Sequence, residues 1–327
     1  MELFLSKLST FGNALPGDIT QGLIWGVLAI GVFITYKILD FADLTVDGSL
    51  GLGGVVAVVL ITNGVPVPLA MFIAFLAGCA AGFVTAFFNT ALGIPGILSG
   101  ILTQLALYSV YLDINGKANA PVSVDKYPLV LSSRFVTAGN SSADIIKTVV
   151  TALIFVVCII AVLYWFFGTE YGMAIRATGC NSNLSKAEGI NTKRTTIVTL
   201  VISNGLVGLS GALLAQYQGF ADVNMGRGAI VIGLASVIIG MVLGVILRKH
   251  FNFIAKLSFT SLGAIIYFVV LRIVMLIGLS TDNTKLFSAV IVAVFLAVPY
   301  LQKQSRASFA KAGKRSEESL GAGKESA

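Results

Sequence analysis

Charge is what this sequence lacks most. Only 11% of its 327 residues are Asp, Glu, Lys or Arg, against about a quarter in a soluble globular domain. A chain so poor in charge cannot cover a water-facing surface, so lipid must solvate most of it. Histidine is scarcer still. His250 is the only one, which excludes a His-based triad and a histidine metal cluster; it sits in the basic run Arg248, Lys249, His250 and reads as a membrane-flanking loop. The three cysteines, Cys79, Cys158 and Cys180, form no CxxC pair and imply neither a disulfide nor a zinc site. No pairing of carboxylates suited to catalysis stands out, so the chain reads as a non-enzyme with no metal. Residues 1–15 lack the long apolar run and cleavage site of a signal peptide. The first apolar stretch is therefore expected to stay in the mature protein.

What is present is apolar: 56% of the residues are hydrophobic and the mean hydropathy is +0.92. A spanning helix needs about 20 apolar residues. That rule predicts spans at Ile19–Leu39, Leu50–Asn63, Val67–Leu92, Ile97–Leu112, Ile145–Phe167, Ile197–Tyr217, Ile230–Leu247, Phe259–Leu279 and Phe287–Leu301. The second is short, with Gly48, Gly51, Gly53 and Gly54 at its start. It reads as a broken or re-entrant helix, which survives at membrane depth only when buried in protein or lining a cavity. The stretch Met225–Gly228 ahead of the seventh span invites the same reading. The predicted fold is thus all-α, a polytopic transmembrane bundle of about 8–10 spans. It comprises an N-terminal segment 1–18, a membrane domain 19–301 and a basic, disordered cytoplasmic tail 302–327.

A net charge of +7 could suggest a nucleic-acid partner. The basic residues instead cluster in loops and in the tail, the pattern of cytoplasmic loops facing anionic lipid. With nine crossings, one face receives Lys37, Arg176, Lys186, Lys193, Arg194, Arg248, Lys249, Lys256 and the tail. The other receives Lys7, Lys117, Lys126, Arg134, Lys147, Arg227 and Lys285. The richer face is the inside one, which puts the N-terminus and the loop 113–143 outside and the loop 168–196 inside.

That inner loop carries the most information. Its stretch GTEYGMAIRATGCNSNLSKAEGIN, residues 168–191, predicts a short helix from Tyr171 to about Thr178. A turn over 179–183 and a second helix Leu184–Glu188, stopped by Gly189, should follow. Two compact helices there are either a plain connector or a lever that carries motion from a soluble partner into the membrane.

The run Gly172, Ala174, Arg176, Ala177, Gly179, Asn181, then Ala187, Gly189 and Asn191, resembles the coupling loop of ATP-binding cassette importer permeases. The branch is the one shared by branched-chain amino-acid, ribose and nucleoside importers. GLIWGVLAIG at 22–31 and LTVDGSLG at 44–51 are similar to that family's first helix and to the polar, glycine-rich start of its second. The latter form is closest to a subgroup paired with substrate-binding lipoproteins, some of which bind aromatic amino acids. The resemblance implies a permease homodimer in a bacterial cell membrane, carrying a small solute delivered by an external binding lipoprotein. It also implies that ATP is hydrolysed by partner subunits docked at Gly172, Arg176, Ala177, Asn181, Ala187 and Gly189, with no cofactor on this chain. The tail's GAGKES at 321–326 mimics the end of a phosphate-binding loop, but Glu318 stands where glycine is required. The alternative is a single-chain, ion-coupled carrier, which would be expected to hold mid-membrane carboxylates or histidines.

Polar residues within spans are the pathway candidates, because such groups are costly in lipid: Asp47, Asn89, Gln104, Asn204 and Arg272. Asp47 reads as lying at the inner entrance of the second helix. Arg272 could attract a substrate carboxylate or pair with an acidic neighbour, the favoured reading. Ala74, Gly78, Gly82 and Ala86 put small residues on one face of the third span, for packing within the chain or, less favoured, a dimer seam. The sequon at Asn140 is common by chance, and the outer loop with residues 219–228 is expected to dock the binding protein.

Overall fold

The computed structural model describes residues 2–133, 142–247 and 252–276, with isolated helical residues between 286 and 297. The ninth predicted span, the tail, the run at 248–250 and Asn140 lie outside the described residues. Within them, eight of the nine predicted spans are helices. They are α1 (Glu2–Phe33, closing on a π-helical turn Ile34–Ile38), α2 (Val46–Thr62), α3 (Val67–Thr90), α4 (Gly96–Asn115), α5 (Ser142–Phe167), α8 (Thr192–Gln218), α9 (Ala229–Leu247) and α10 (Phe253–Leu276). The short helices α6 (Glu170–Cys180) and α7 (Ser182–Ala187) cross one end. Seven helices are long and apolar enough to span a membrane, α2 being shorter. Helix α1 begins well before the predicted start at Ile19 and runs through Pro16.

Helix α8 is the central column, packed by α1, α2 and α3. Against α3 the approach is very close. A Cβ on Gly78 would meet the Asn204 carbonyl, one on Gly82 the Leu200 carbonyl, and one on Gly208 the Ala74 carbonyl. In lipid, where apolar burial gives no drive, such contact between backbones supplies the attraction. The small-residue stripe of α3 is therefore used inside the chain.

Helix α1 lies antiparallel to α8 along a seam of hydroxyls. Ser203 donates to the Gly31 carbonyl at 2.8 Å, Ser210 to that of Ile24 at 2.8 Å, and Tyr217 to that of Gly17 at 3.1 Å. Donors and acceptors both recur every seven residues, the repeat that keeps two left-handedly crossing helices in register. Helix α10 packs on α1 through Gly22 and Gly26, and α9 on α10 through Gly240 and Gly263. Much of α5 is exposed apolar surface, including Val162 and Trp165, as a lipid-facing helix requires.

Two helices start in the middle. Asn204 stands about 18 Å from the start of α8 and about 21 Å from its end, at 1.5 Å per residue. Ser49, in the first turn of α2, bonds Asn204, so α2 begins at mid-depth. After the π-helical turn at the α6 end, residues 39–45 climb back to that depth. Helix α2 then runs to the opposite end, where Tyr127 donates to the Thr62 carbonyl. Beyond α8, β2 (Phe220–Asp222) pairs antiparallel with β1 (Asn119–Pro121) at that same end. This small ribbon is a departure from an all-α chain. Residues 223–228 then descend to mid-depth, where α9 begins and runs toward the α6 end. Both halves of the broken-helix expectation hold: α2 and α9 are half-depth starts, with α2 surrounded by protein on nearly all sides.

Candidate functional site

The two mid-depth helix starts meet at a polar node. Asp47, in the first turn of α2, accepts from the backbone N–H of Gly228 at 2.9 Å and of Ile230 at 2.8 Å. Its carboxylate thus satisfies the unpaired N–H groups at the start of α9, where a negative charge is also favoured by the helix dipole. Asp47 is therefore deep in the bundle, not at an inner entrance. Asp43, two residues ahead of the Thr45 N-cap, accepts from the Thr45 N–H at 2.9 Å and from Asn204 Nδ2 at 2.7 Å. Asn204 Oδ1 in turn accepts from Ser49 Oγ at 2.6 Å. Thr45, Thr85 and Thr103 continue the chain of hydroxyls into α3 and α4, at 2.6 and 2.9 Å. Asp43, Thr45, Ser49, Thr85, Thr103 and Asn204 are all buried. Sequence reading found Asp47 and Asn204 but missed Asp43, which precedes the apolar run and looks like a loop residue.

Beside the node, on the edge of α4, lie the half-buried Gln104 and Tyr108, one turn apart. The exposed Arg227 of the descending segment places its guanidinium 5.9 Å from the Tyr108 ring centroid. Arg227 was expected at the outer surface; the segment's return to Asp47 puts it at mid-depth instead.

At the α6 end, Thr169 caps α6 by accepting from Gly172 N. Asn181 caps α7, its Oδ1 accepting from Asn183 N and Leu184 N at 3.1 Å each. Asn191 caps α8 through Arg194 N. The turn between the two short helices is thus Asn181 alone, not 179–183. Gly179 lies inside α6 because a Cβ there would collide with the Ile38 carbonyl. Arg176 lies over the Phe253 ring, 4.5 Å from its centroid, and Thr178 bonds Thr195 at 3.1 Å. The pair is therefore tied to the π-helical turn, α8 and α10. Asn181, Ala187 and Gly189 are exposed and Ala177 is partly buried. Gly189 has φ +85°, a conformation that favours glycine after a helix end. Asn89 donates to the Ile94 carbonyl at this end, far from the node.

Arg272 sits at the opposite end in a bidentate pair with Asp18, at 2.8 and 2.6 Å. Asp18 falls one residue before the predicted first span, so its partnership was not visible in sequence. The Asp18 side chain is 5% exposed and that of Arg272 36%. Removing one partner of a buried pair costs about 3–5 kcal/mol, and partial access to Arg272 lowers this to about 1–3 kcal/mol. Asp18→Leu is expected to lower the melting temperature in detergent by that amount. The double change Asp18→Leu with Arg272→Met should recover most of the loss, and no recovery would mean the pair is not what holds α10 to α1.

A bundle of apolar helices around two mid-depth helix starts is a polytopic membrane protein. Residues 17–299 match the family described as "Branched-chain amino acid transport system / permease component", and the chain belongs to that family. It is an ATP-binding cassette type permease, a multi-pass protein of the bacterial cell membrane. It is 40% identical to a tyrosine transport system permease protein of Clostridioides difficile, over 85% of this chain and 88% of that one. An uncharacterized protein of Rickettsia prowazekii is 32% identical over 87% and 97%. A fructose import permease of Bifidobacterium longum is 24% identical over 77% and 68%.

Proposed function

We propose that the chain is the membrane-spanning subunit of an ATP-driven importer of an amino acid, tyrosine or a close aromatic relative. The capped pair α6–α7 carries this reading. It is rigid, crosses one end of the bundle, and is bonded to three separate elements, as a lever must be. In this reading the α6 end is cytoplasmic. Two ATP-binding subunits dock around Gly172, Arg176, Ala177, Asn181, Ala187 and Gly189, and this chain itself binds no cofactor. Two copies form the permease, and an external binding lipoprotein delivers the solute at the ribbon end. The solute passes beside Asp47 and Gln104. Asn204 is fully buried, Asn89 lies at the α6 end and Arg272 is paired, so these three act on the pathway indirectly. The tyrosine assignment leans on the Clostridioides difficile relative.

The test is co-expression with an ATP-binding subunit and a binding lipoprotein, purification, and uptake into vesicles. Tyrosine uptake is expected with internal ATP and not with a proton or sodium gradient alone. The gradient control matters because Asp43 and Asp47 are mid-depth carboxylates, the groups an ion-coupled carrier would use. Gradient-driven uptake by the lone chain would overturn the importer reading.

A further inference from the structure

Arg227 is a charged side chain in an expensive place. The backbone on either side of it is fixed at mid-depth: Gly226 packs against the Asp47 carbonyl, and Gly228 donates to the Asp47 carboxylate. Yet Arg227 is exposed. An arginine facing the bilayer centre is strongly disfavoured. The ends of α8 are about 15 Å or more from this level, beyond what an arginine side chain can reach by snorkelling. The surface it opens onto must therefore be wet or protein-lined. Its charge is also not neutralised: among the described residues it makes no salt bridge. The nearest carboxylates are committed elsewhere, Asp47 to Gly228 N and Ile230 N, and Asp222 to Asn224 N.

We propose that Arg227, laid over the Tyr108 ring at mid-depth, receives the carboxylate of the transported solute on the translocation pathway. This rests on the importer reading above. The guanidinium gives one side to the Tyr108 ring and keeps its N–H edge for an anion, the geometry that suits a planar carboxylate. Gln104, one turn along α4, adds an amide on the same edge. Tyr111 stands edge-on to Tyr108 at 5.6 Å between centroids and holds that ring in place. A cation backed by an aromatic face fits a solute carrying both a carboxylate and a ring, such as an aromatic amino acid.

Two measurements test this, both on the chain assembled with its ATP-binding subunits. In the first, Cys79, Cys158 and Cys180 are replaced by serine and Gln104→Cys is introduced. Membrane-impermeant methanethiosulfonates, one anionic and one cationic, are then applied in nucleotide-free and vanadate-trapped states. The anionic reagent is expected to react several-fold faster in at least one state, and Arg227→Ala should abolish that preference. No modification in either state, or no change of preference, overturns the proposal; Arg227 then faces a second copy or a closed seam. In the second, Arg227→Ala is expected to raise the KM for tyrosine uptake about tenfold or more, with Arg227→Lys recovering part. An unchanged KM also overturns it. A wild-type transporter that takes up no tyrosine sinks the tyrosine assignment alone, because the reagent preference is read without it.

Discussion

Asn204→Leu is expected to remove most of the folded protein from the membrane. One amide joins α2, α8 and the segment before α2: it donates to Asp43 and accepts from Ser49. Leucine would leave both without this partner in a fully buried place. A neutral orphan costs about 1–3 kcal/mol and a charged one more, so the total is about 3–5 kcal/mol. Set against a whole stability of about 5–15 kcal/mol, that is a large fraction. Fluorescence-detected size exclusion after heating would measure it. Because Asp43 and Asn204 share the bond, Asp43→Ala combined with Asn204→Leu should cost clearly less than the sum of the two. A leucine variant that melts like the wild type would show that the node contributes little.

The second large effect is functional. Gly179→Leu is expected to lower uptake about tenfold or more, equivalent to ~1.4 kcal/mol on the barrier, while the ATP-binding subunits still co-purify. The docking surface proposed here is the outer side of α6–α7, with Asn181, Ala187 and Gly189 exposed. Gly179 is on the inner side, pressed against the Ile38 carbonyl. A side chain there pushes α6 off the π-helical turn without changing what a partner meets. ATP hydrolysis that continues without uptake is the signature of a lever detached from its load. The neighbouring exposed Cys180→Ala should transport normally. If Gly179→Leu transports at the wild-type rate, motion does not pass through this contact.

Sequence reading located the spans well because twenty apolar residues in a row have few other uses. It located depth poorly, because hydropathy records that a helix is apolar and not where it starts. Asp47 was assigned to an entrance and Arg227 to a surface for that reason. Asp43 and Asp18 escaped because each lies just outside an apolar run, where a carboxylate looks like an ordinary flanking residue. Gly179 was mistaken for a turn residue. In sequence, a glycine that lets backbones touch is indistinguishable from one that lets the chain bend. Asn181 makes the turn, and its side chain is the sufficient cause.

The seam of Ser203, Ser210 and Tyr217 along α1 has a dynamic consequence. Each hydroxyl bonds a carbonyl already used within its own helix, so the three bonds come from one alignment and share one fate. Sliding α1 by a single turn, about 5.4 Å, would displace every donor from its acceptor at once, with no intermediate alignment that keeps two. Such a joint resists gradual shear and behaves as a strut. The reorientation of a transport cycle then has to be taken up elsewhere, and the two helices that start at mid-depth are the natural hinges. Amide exchange should rank accordingly, slowest along 203–217 and fastest at residues 223–230.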